Sequence, residues 1–185
     1  MKIRALIFSV LVLLLTLGAR IPARAQGTIV WNGPVLTFIN LPGSDWTQLA
    51  SQDHLTANIW LTRATRRGLF NAASEGGYAF NSSPADTAWA FGLLANYASL
   101  TYTDWQTWAA NNPPATVGRD AVLHLITDDI YLGIKFTAWG GPGGGFTYER
   151  TTAAAVPEPA TGALALAGAM LLLGTAVRKN FRGGK

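Results

Sequence analysis

The chain contains no cysteine. Disulfides, thiolate nucleophiles and Cys-ligated zinc are therefore excluded, and any fold must be held by its packed core. Histidine is nearly absent too: His54 and His124 are the only two, which offers no recognisable ligand spacing for a transition metal. There is no Gly-x-Ser-x-Gly elbow, no EF-hand loop, no nonapeptide calcium repeat and no internal repeat of 20 to 50 residues. Charge is scarce in one region and concentrated in others. Of 14 Lys and Arg, four (Lys2, Arg4, Arg20, Arg24) lie at the start and four (Arg178, Lys179, Arg182, Lys185) at the end. The span between keeps six basic against ten acidic side chains, a net of −4. The sequence pI of about 9.7 thus belongs to the two ends. The basic footprint of a nucleic-acid binder is absent.

Aromatic residues are plentiful. Seven Trp, eight Phe and five Tyr supply enough apolar area for a core without disulfides. Residues 26–155 are of a length that suits one domain.

The two ends read as targeting segments. Lys2 and Arg4 form a basic start, residues 5–18 an apolar run, and Ala23-Arg24-Ala25 a small-x-small cleavage site. This predicts a signal peptide over residues 1–25 cleaved before Gln26, with an uncleaved anchor as the alternative. At the other end Val156-Pro157-Glu158-Pro159 precedes an apolar run, 160–177, and a basic tail, 178–185. Pro-Glu-Pro continues neither helix nor sheet, because each Pro fixes φ and lacks a donor. The uncharged run would extend about 27 Å as a helix, near the ~30 Å hydrocarbon core of a bilayer. The basic end stays cytoplasmic under the positive-inside tendency. A plain C-terminal membrane helix is the bland reading of the same residues.

In this order the three parts resemble the PEP-CTERM sorting signal of Gram-negative bacteria. The resemblance implies an exported protein, passed through the Sec translocon and signal peptidase, held in the inner membrane with its domain on the periplasmic side, and then processed by an exosortase. It further implies a destination at the cell surface or extracellular matrix and an association with exopolysaccharide. Residues 86–92 (Asp-Thr-Ala-Trp-Ala-Phe-Gly), 124–131 (His-Leu-Ile-Thr-Asp-Asp-Ile-Tyr) and 143–150 (Gly-Gly-Gly-Phe-Thr-Tyr-Glu-Arg) also resemble an uncharacterised domain of secreted bacterial proteins. That resemblance implies no established activity.

Between the ends, alternation and turn chemistry predict short strands. Residues 35–40 read as a strand between Asn-Gly-Pro and Pro-Gly-Ser-Asp turns. Residues 55–65 read as another, with Leu55, Ala57, Ile59 and Leu61 on one face. Arg63, Arg66 and Arg67 then form either an anion site or, by preference, a solvated turn. Residues 88–92 predict a strand with Trp89 and Phe91 together, 93–98 fit strand or helix, and 99–103 look extended. Thr103 or Asp104 can cap one short helix carrying Trp105 and Trp108, stopped by Asn-Asn-Pro-Pro. Residues 121–139 predict a β-hairpin: a first strand through Ile126, a connection Thr127-Asp128-Asp129, and a second strand with Ile130, Leu132, Ile134 and Phe136 on one face. Residues 146–150 close the series. The fold class expected is all-β, an antiparallel sandwich or jelly roll with one short helix.

Candidate chemistry is thin. His54 beside Asp53, and His124 between Val122 and Ile126, lack an evident nucleophile, so no catalytic residues are assigned and the expectation is a protein that is not an enzyme. Calcium, which wants hard oxygens, has Asp128 and Asp129 as candidate ligands, against the ordinary use of Asp in turns. Trp60, Trp105, Trp108 and Trp139 are candidates for stacking on sugar rings, against the alternative of core packing. Three functions follow: a non-enzymatic surface or matrix protein, a carbohydrate- or calcium-binding module, and a surface hydrolase, which would require converging carboxylates in a pocket.

Overall fold

The computed structural model describes residues 27–155. Ala23, Ala25 and Gln26 of the expected cleavage site, and Val156, Pro157, Glu158 and Pro159 with the segments after them, lie outside the described residues. Within that span the fold is all-β, with two sheets and few helical turns. Among the described residues no helix is long and apolar enough to cross a membrane.

The strand on which the others assemble is β8 (Ile130–Trp139), the longest at ten residues. Its strict alternation puts Ile130, Leu132, Ile134 and Phe136 into the core, each at most 6% exposed. On one edge β8 pairs with β7 (Ala121–Leu125), which pairs in turn with β6 (Thr87–Phe91). The other edge is shared. β1 (Ile29–Trp31) runs parallel along the first half of β8, and β9 (Phe146–Thr151) runs antiparallel along the second. β2 (Val35–Asn40) then pairs with β9 to finish a six-stranded sheet. All its pairings are antiparallel except that of β1.

A second, three-stranded sheet comprises β3 (Asp53–His54), β4 (Trp60–Thr62) and β5 (Phe70–Asn71). Leu55, Ile59, Leu61 and Leu69 from this region share one core cluster with Leu123, Leu132, Phe136 and Tyr148 of the large sheet. The short helix α1 (Trp105–Trp108) completes the cover. Asp104 caps it, accepting from Thr107 N at 3.0 Å, which satisfies one of the orphan donors of the first turn. Trp105 and Trp108 project from α1 against Trp89, with ring centroids 4.8 and 5.2 Å away. The residues left open between strand and helix, 93–98, form most of a 3-10 helix, Leu94–Ser99. Thr103 just beyond is extended and bridges Trp89.

Two expectations need correction. Residues 55–65 are not one strand. Leu55 N and Thr56 N both reach Ile59 O, and Thr56 Oγ1 accepts from Asn58 N, so the chain turns through Thr56-Ala57-Asn58 and only Trp60–Thr62 is extended. The apolar alternation survived because Leu55, Ile59 and Leu61 reach the core from the two sides of that turn. The β7–β8 connection has four residues, since Leu125 and Ile130 already face each other; Ile126 sits in the turn, half exposed.

β8 carries a register shift between Phe136 and Ala138, leaving Thr137 as the extra residue opposite β9. A bulge reverses the face on which later side chains emerge. Trp139 therefore returns to the core side, against Phe136 and Trp105 at 5.7 Å each, rather than joining Tyr131 and Lys135 on the outer face.

Candidate ligand pocket

The re-aimed Trp139 forms one wall of a cavity of about 320 Å³. Four separate segments build it. The chain leaving β4 brings Arg63, Arg67 and Gly68; the loop after β5 brings Tyr78 and Phe80. The face of α1 contributes Trp105 and Gln106, and the turn behind it contributes Asn111. The loop after β5 is positioned by Glu75, whose Oε2 accepts from Asn71 N at 2.6 Å and Ala85 N at 2.9 Å, and whose Oε1 accepts from Ser83 Oγ. Left-handed backbone at Ala110 and Asn111, φ 50° and 56°, turns the chain back to the cavity after α1.

Arg63 is the surprise. A solvated turn is the sequence expectation for it, yet it is only 5% exposed. Its Nε donates to Arg67 O at 2.8 Å, and its Nη1 donates to Gly140 O at 2.8 Å and Gly145 O at 3.1 Å. The guanidinium carbon lies 4.3 Å from the centroid of Trp139, a cation–π stack. Burial pulls its pKa below the ordinary guanidinium value. The Gly140–Gly145 loop that Arg63 grips also binds back through Gly143 N to Thr65 O at 2.9 Å. Gly144, at φ +80°, passes so close to Ala64 that a Cβ there would sit 2.1 Å from its carbonyl oxygen, so only glycine fits. Arg66 and Arg67, by contrast, are exposed.

No carboxylate lines this cavity. Gln106, 5% exposed, donates from Nε2 to Tyr78 Oη and leaves Oε1 without a hydrogen-bond partner. The arrangement thus presents aromatic faces, two guanidinium groups and one unspent amide atom.

The predicted site residues are dispersed. Trp105 and Trp108, 2% and 6% exposed, are packed in the core with Trp89 and Phe136, and Trp105 also borders the cavity. Trp60 is half-buried with His54 stacked on it at 4.3 Å, and donates Nε1 to Thr56 O. Trp139 alone of the four is half-buried at a cavity with its face toward a charged group.

Asp128 and Asp129 both sit at the β7–β8 turn, but their carboxylates are engaged separately. Asp128 accepts from Thr56 Oγ1 at 2.6 Å and Asn58 Nδ2 at 2.7 Å, tying the β3–β4 turn to this one. Asp129 accepts from Thr28 Oγ1 at 2.7 Å and contacts His124 Nε2 at 3.2 Å, and the Thr28 bond leads in holding its pKa below the ordinary carboxylate value. Among the described residues no group of three or more His, Asp or Glu is placed to hold a metal ion.

His124 stacks on Tyr131 at 4.0 Å, with Tyr102 edge-on at 5.9 Å. Burial, and after it the neighbouring Tyr131 and Tyr97, push the Tyr102 hydroxyl up to about 12. His54 contacts Gln52 Oε1 at 2.9 Å. Neither imidazole has a hydroxyl nucleophile within hydrogen-bond reach among the described residues. The buried acid of the domain is Asp53, 6% exposed, which receives Arg150 Nε at 2.6 Å, Arg150 Nη2 at 2.8 Å and Tyr148 Oη at 2.6 Å. This triad joins β3 to β9, locking the small sheet onto the large one.

Compared with protein-family models, with curated proteins and with solved structures, the chain has no significant match in any of the three.

Proposed function

We propose that this chain is an exported surface or extracellular-matrix protein of a Gram-negative bacterium, without enzymatic activity and associated with exopolysaccharide. Its leader, residues 1–25, is removed by signal peptidase after Sec export, and its sorting signal, 156–185, is processed by an exosortase at the inner membrane. The observation that supports this address is the order of the terminal segments: Val156-Pro157-Glu158-Pro159, then an uncharged apolar run, then four basic residues at the extreme end. The exported part is a sandwich-like pair of unequal sheets.

A binding role is favoured over hydrolysis. Hydrolysis by paired carboxylates needs two acids ~5 to 9 Å apart across a cleft. Asp53, the buried acid among the described residues, is saturated by Arg150 and Tyr148 instead. The alternative of a carbohydrate-binding module draws support from the aromatic cavity beside Trp139. Calcium binding would have to displace the Thr and Asn donors now held by Asp128 and Asp129.

Intact mass of the protein recovered from exosortase-positive cells tests the address. The expected mature chain begins at Gln26 and has lost the segment from about Pro159 onwards. A chain that still ends at Lys185 refutes the sorting reading. Pro157→Ala with Glu158→Ala is expected to leave the protein unprocessed in the inner membrane.

A further inference from the structure

We infer that the cavity between Arg63, Tyr78, Gln106 and Trp139 binds a carboxylate-bearing sugar, a uronate unit of an acidic glycan. This rests on the exopolysaccharide reading above and narrows it to one class of polymer and one site.

Three features of the cavity each demand something of the ligand. The first is unbalanced charge. The described residues hold six basic and nine acidic side chains, a net of −3, yet the cavity is lined by two arginines and no acid. Among the described residues Arg63 has no carboxylate partner: Nε and Nη1 donate to neutral carbonyls and Nη2 is unspent. A buried cation satisfied only by carbonyls gains most from an incoming anion, and guanidinium groups match carboxylates in geometry as well as charge. The second feature is the aromatic lining: Tyr78 and Phe80, with Trp139, one face of which carries the Arg63 guanidinium, favour a ligand with an apolar side such as the C–H face of a pyranose. The third is Gln106, a buried residue of the cavity lining whose enclosed Oε1 lacks a donor, so that a ligand group meets it once the amide turns toward the cavity. A carboxylate cannot supply that donor, but a hydroxyl can. If the amide is turned over, the leftover N–H is served equally by a hydroxyl oxygen.

Inorganic phosphate lacks the apolar face, a neutral sugar lacks the anion, and a plain aromatic acid such as benzoate lacks the hydroxyl. A uronate carries all three. The volume, about 320 Å³, lies at the low end of the ~300–1,000 Å³ range of small-molecule sites and suits a single ring rather than a long strand. Gly68 lets the chain pass close against two of the walls, since a Cβ there would lie 2.6 Å from Tyr78 Cε2 and 2.9 Å from Trp105 Nε1.

The test is a tryptophan-fluorescence titration of the full chain in a polyoxyethylene detergent, which itself carries no sugar. The probes are glucuronate, galacturonate, glucose, galactose and inorganic phosphate. The expected result is saturable binding of the uronates only, weakened about tenfold by Arg67→Gln, an exposed position, and at least as much by Gln106→Glu, which sets a like charge beside the carboxylate. Arg63 is left intact in these variants because it also holds the Gly140–Gly145 loop. Equal binding of glucose or galactose, equal competition by phosphate, an unchanged affinity in both variants, or no binding up to about 10 mM would each overturn the inference. Co-sedimentation with a neutral polysaccharide but not with a polyuronate overturns the inference alone; co-sedimentation with neither overturns the exopolysaccharide reading as well.

Discussion

The buried triad of Asp53, Tyr148 and Arg150 sets a measurable stake on how the two sheets are joined. Asp53→Asn keeps the shape and removes the charge. Arg150, 7% exposed, then retains its guanidinium in the interior with no carboxylate to receive it. Three hydrogen bonds are affected, two of them between charged groups at 2.6 and 2.8 Å. Bonds to charged groups contribute ~1.5–3 kcal/mol each, and stranding one partner of a buried pair costs ~3–5 kcal/mol in total. The second figure governs here, because desolvation of the surviving charge dominates. For a domain of this size each kcal/mol moves the melting temperature by roughly 3–5 °C, so a fall of about 9–25 °C is expected. Far-UV circular dichroism melts, with urea titrations at 25 °C, give the number. The paired replacement Asp53→Leu with Arg150→Met removes both charges and is expected to recover most of the loss. A cost below about 1 kcal/mol for Asp53→Asn, or a double variant no better than the single one, would refute the argument that this pair is a buried clamp.

Other outcomes follow from the same geometry. Burial first, and then the Asp53 carboxylate, hold the Tyr148 hydroxyl well above its ordinary value of 10.0. A raised folded-state pKa contributes stability that is complete below the unfolded value and lost as pH rises, so the protein should weaken above about pH 10, with Tyr102, near 12, adding to the effect. Tyr148→Phe should flatten the alkaline limb of a stability-versus-pH curve; an unchanged limb would dismiss Tyr148 as its source. Asp104→Ala removes the cap of α1 and should cost about 1 kcal/mol in urea titration. A cost near zero would mean that the packing of Trp105 and Trp108 alone holds that turn.

Local patterns made much of the fold legible. The period-two run from Ile130 to Phe136 gave β8 its inner face, and the Asp104 cap with Trp105 and Trp108 three residues apart placed α1. What stayed hidden depends on partners distant in the chain. Arg63 looked like part of an exposed basic turn because its acceptors, Gly140 and Gly145, lie 77 and 82 residues away. The turn at Thr56–Asn58 was masked by an apolar alternation that a strand and a hairpin share over so short a span. Trp139 could be singled out as an aromatic, but not placed, since a single bulged residue at Thr137 decides which face it takes. The cavity itself joins four segments, and no spacing within any one of them announces it. Asp128 and Asp129 stood out by their hard oxygens as calcium candidates, against the ordinary use of Asp in turns, and they accept from Thr56, Asn58 and Thr28 of neighbouring segments.

The sharing of strand edges has a mechanical consequence. Any pull on the chain beyond residue 155 enters the domain through Thr152, bonded to Gly33 and Pro34, and then Thr151, the last residue of β9. That strand lies between β2 and β8, registered over six residue pairs on one side and five on the other. A load along its axis is therefore borne in shear by both ladders together, whereas a load across the sheet would peel them one pair at a time. With Gly33 N also bonded to Thr152 O at 2.8 Å, the load is passed at once to the chain that begins the domain. A load on the C-terminal end of the described residues is therefore resisted best in the direction along β9.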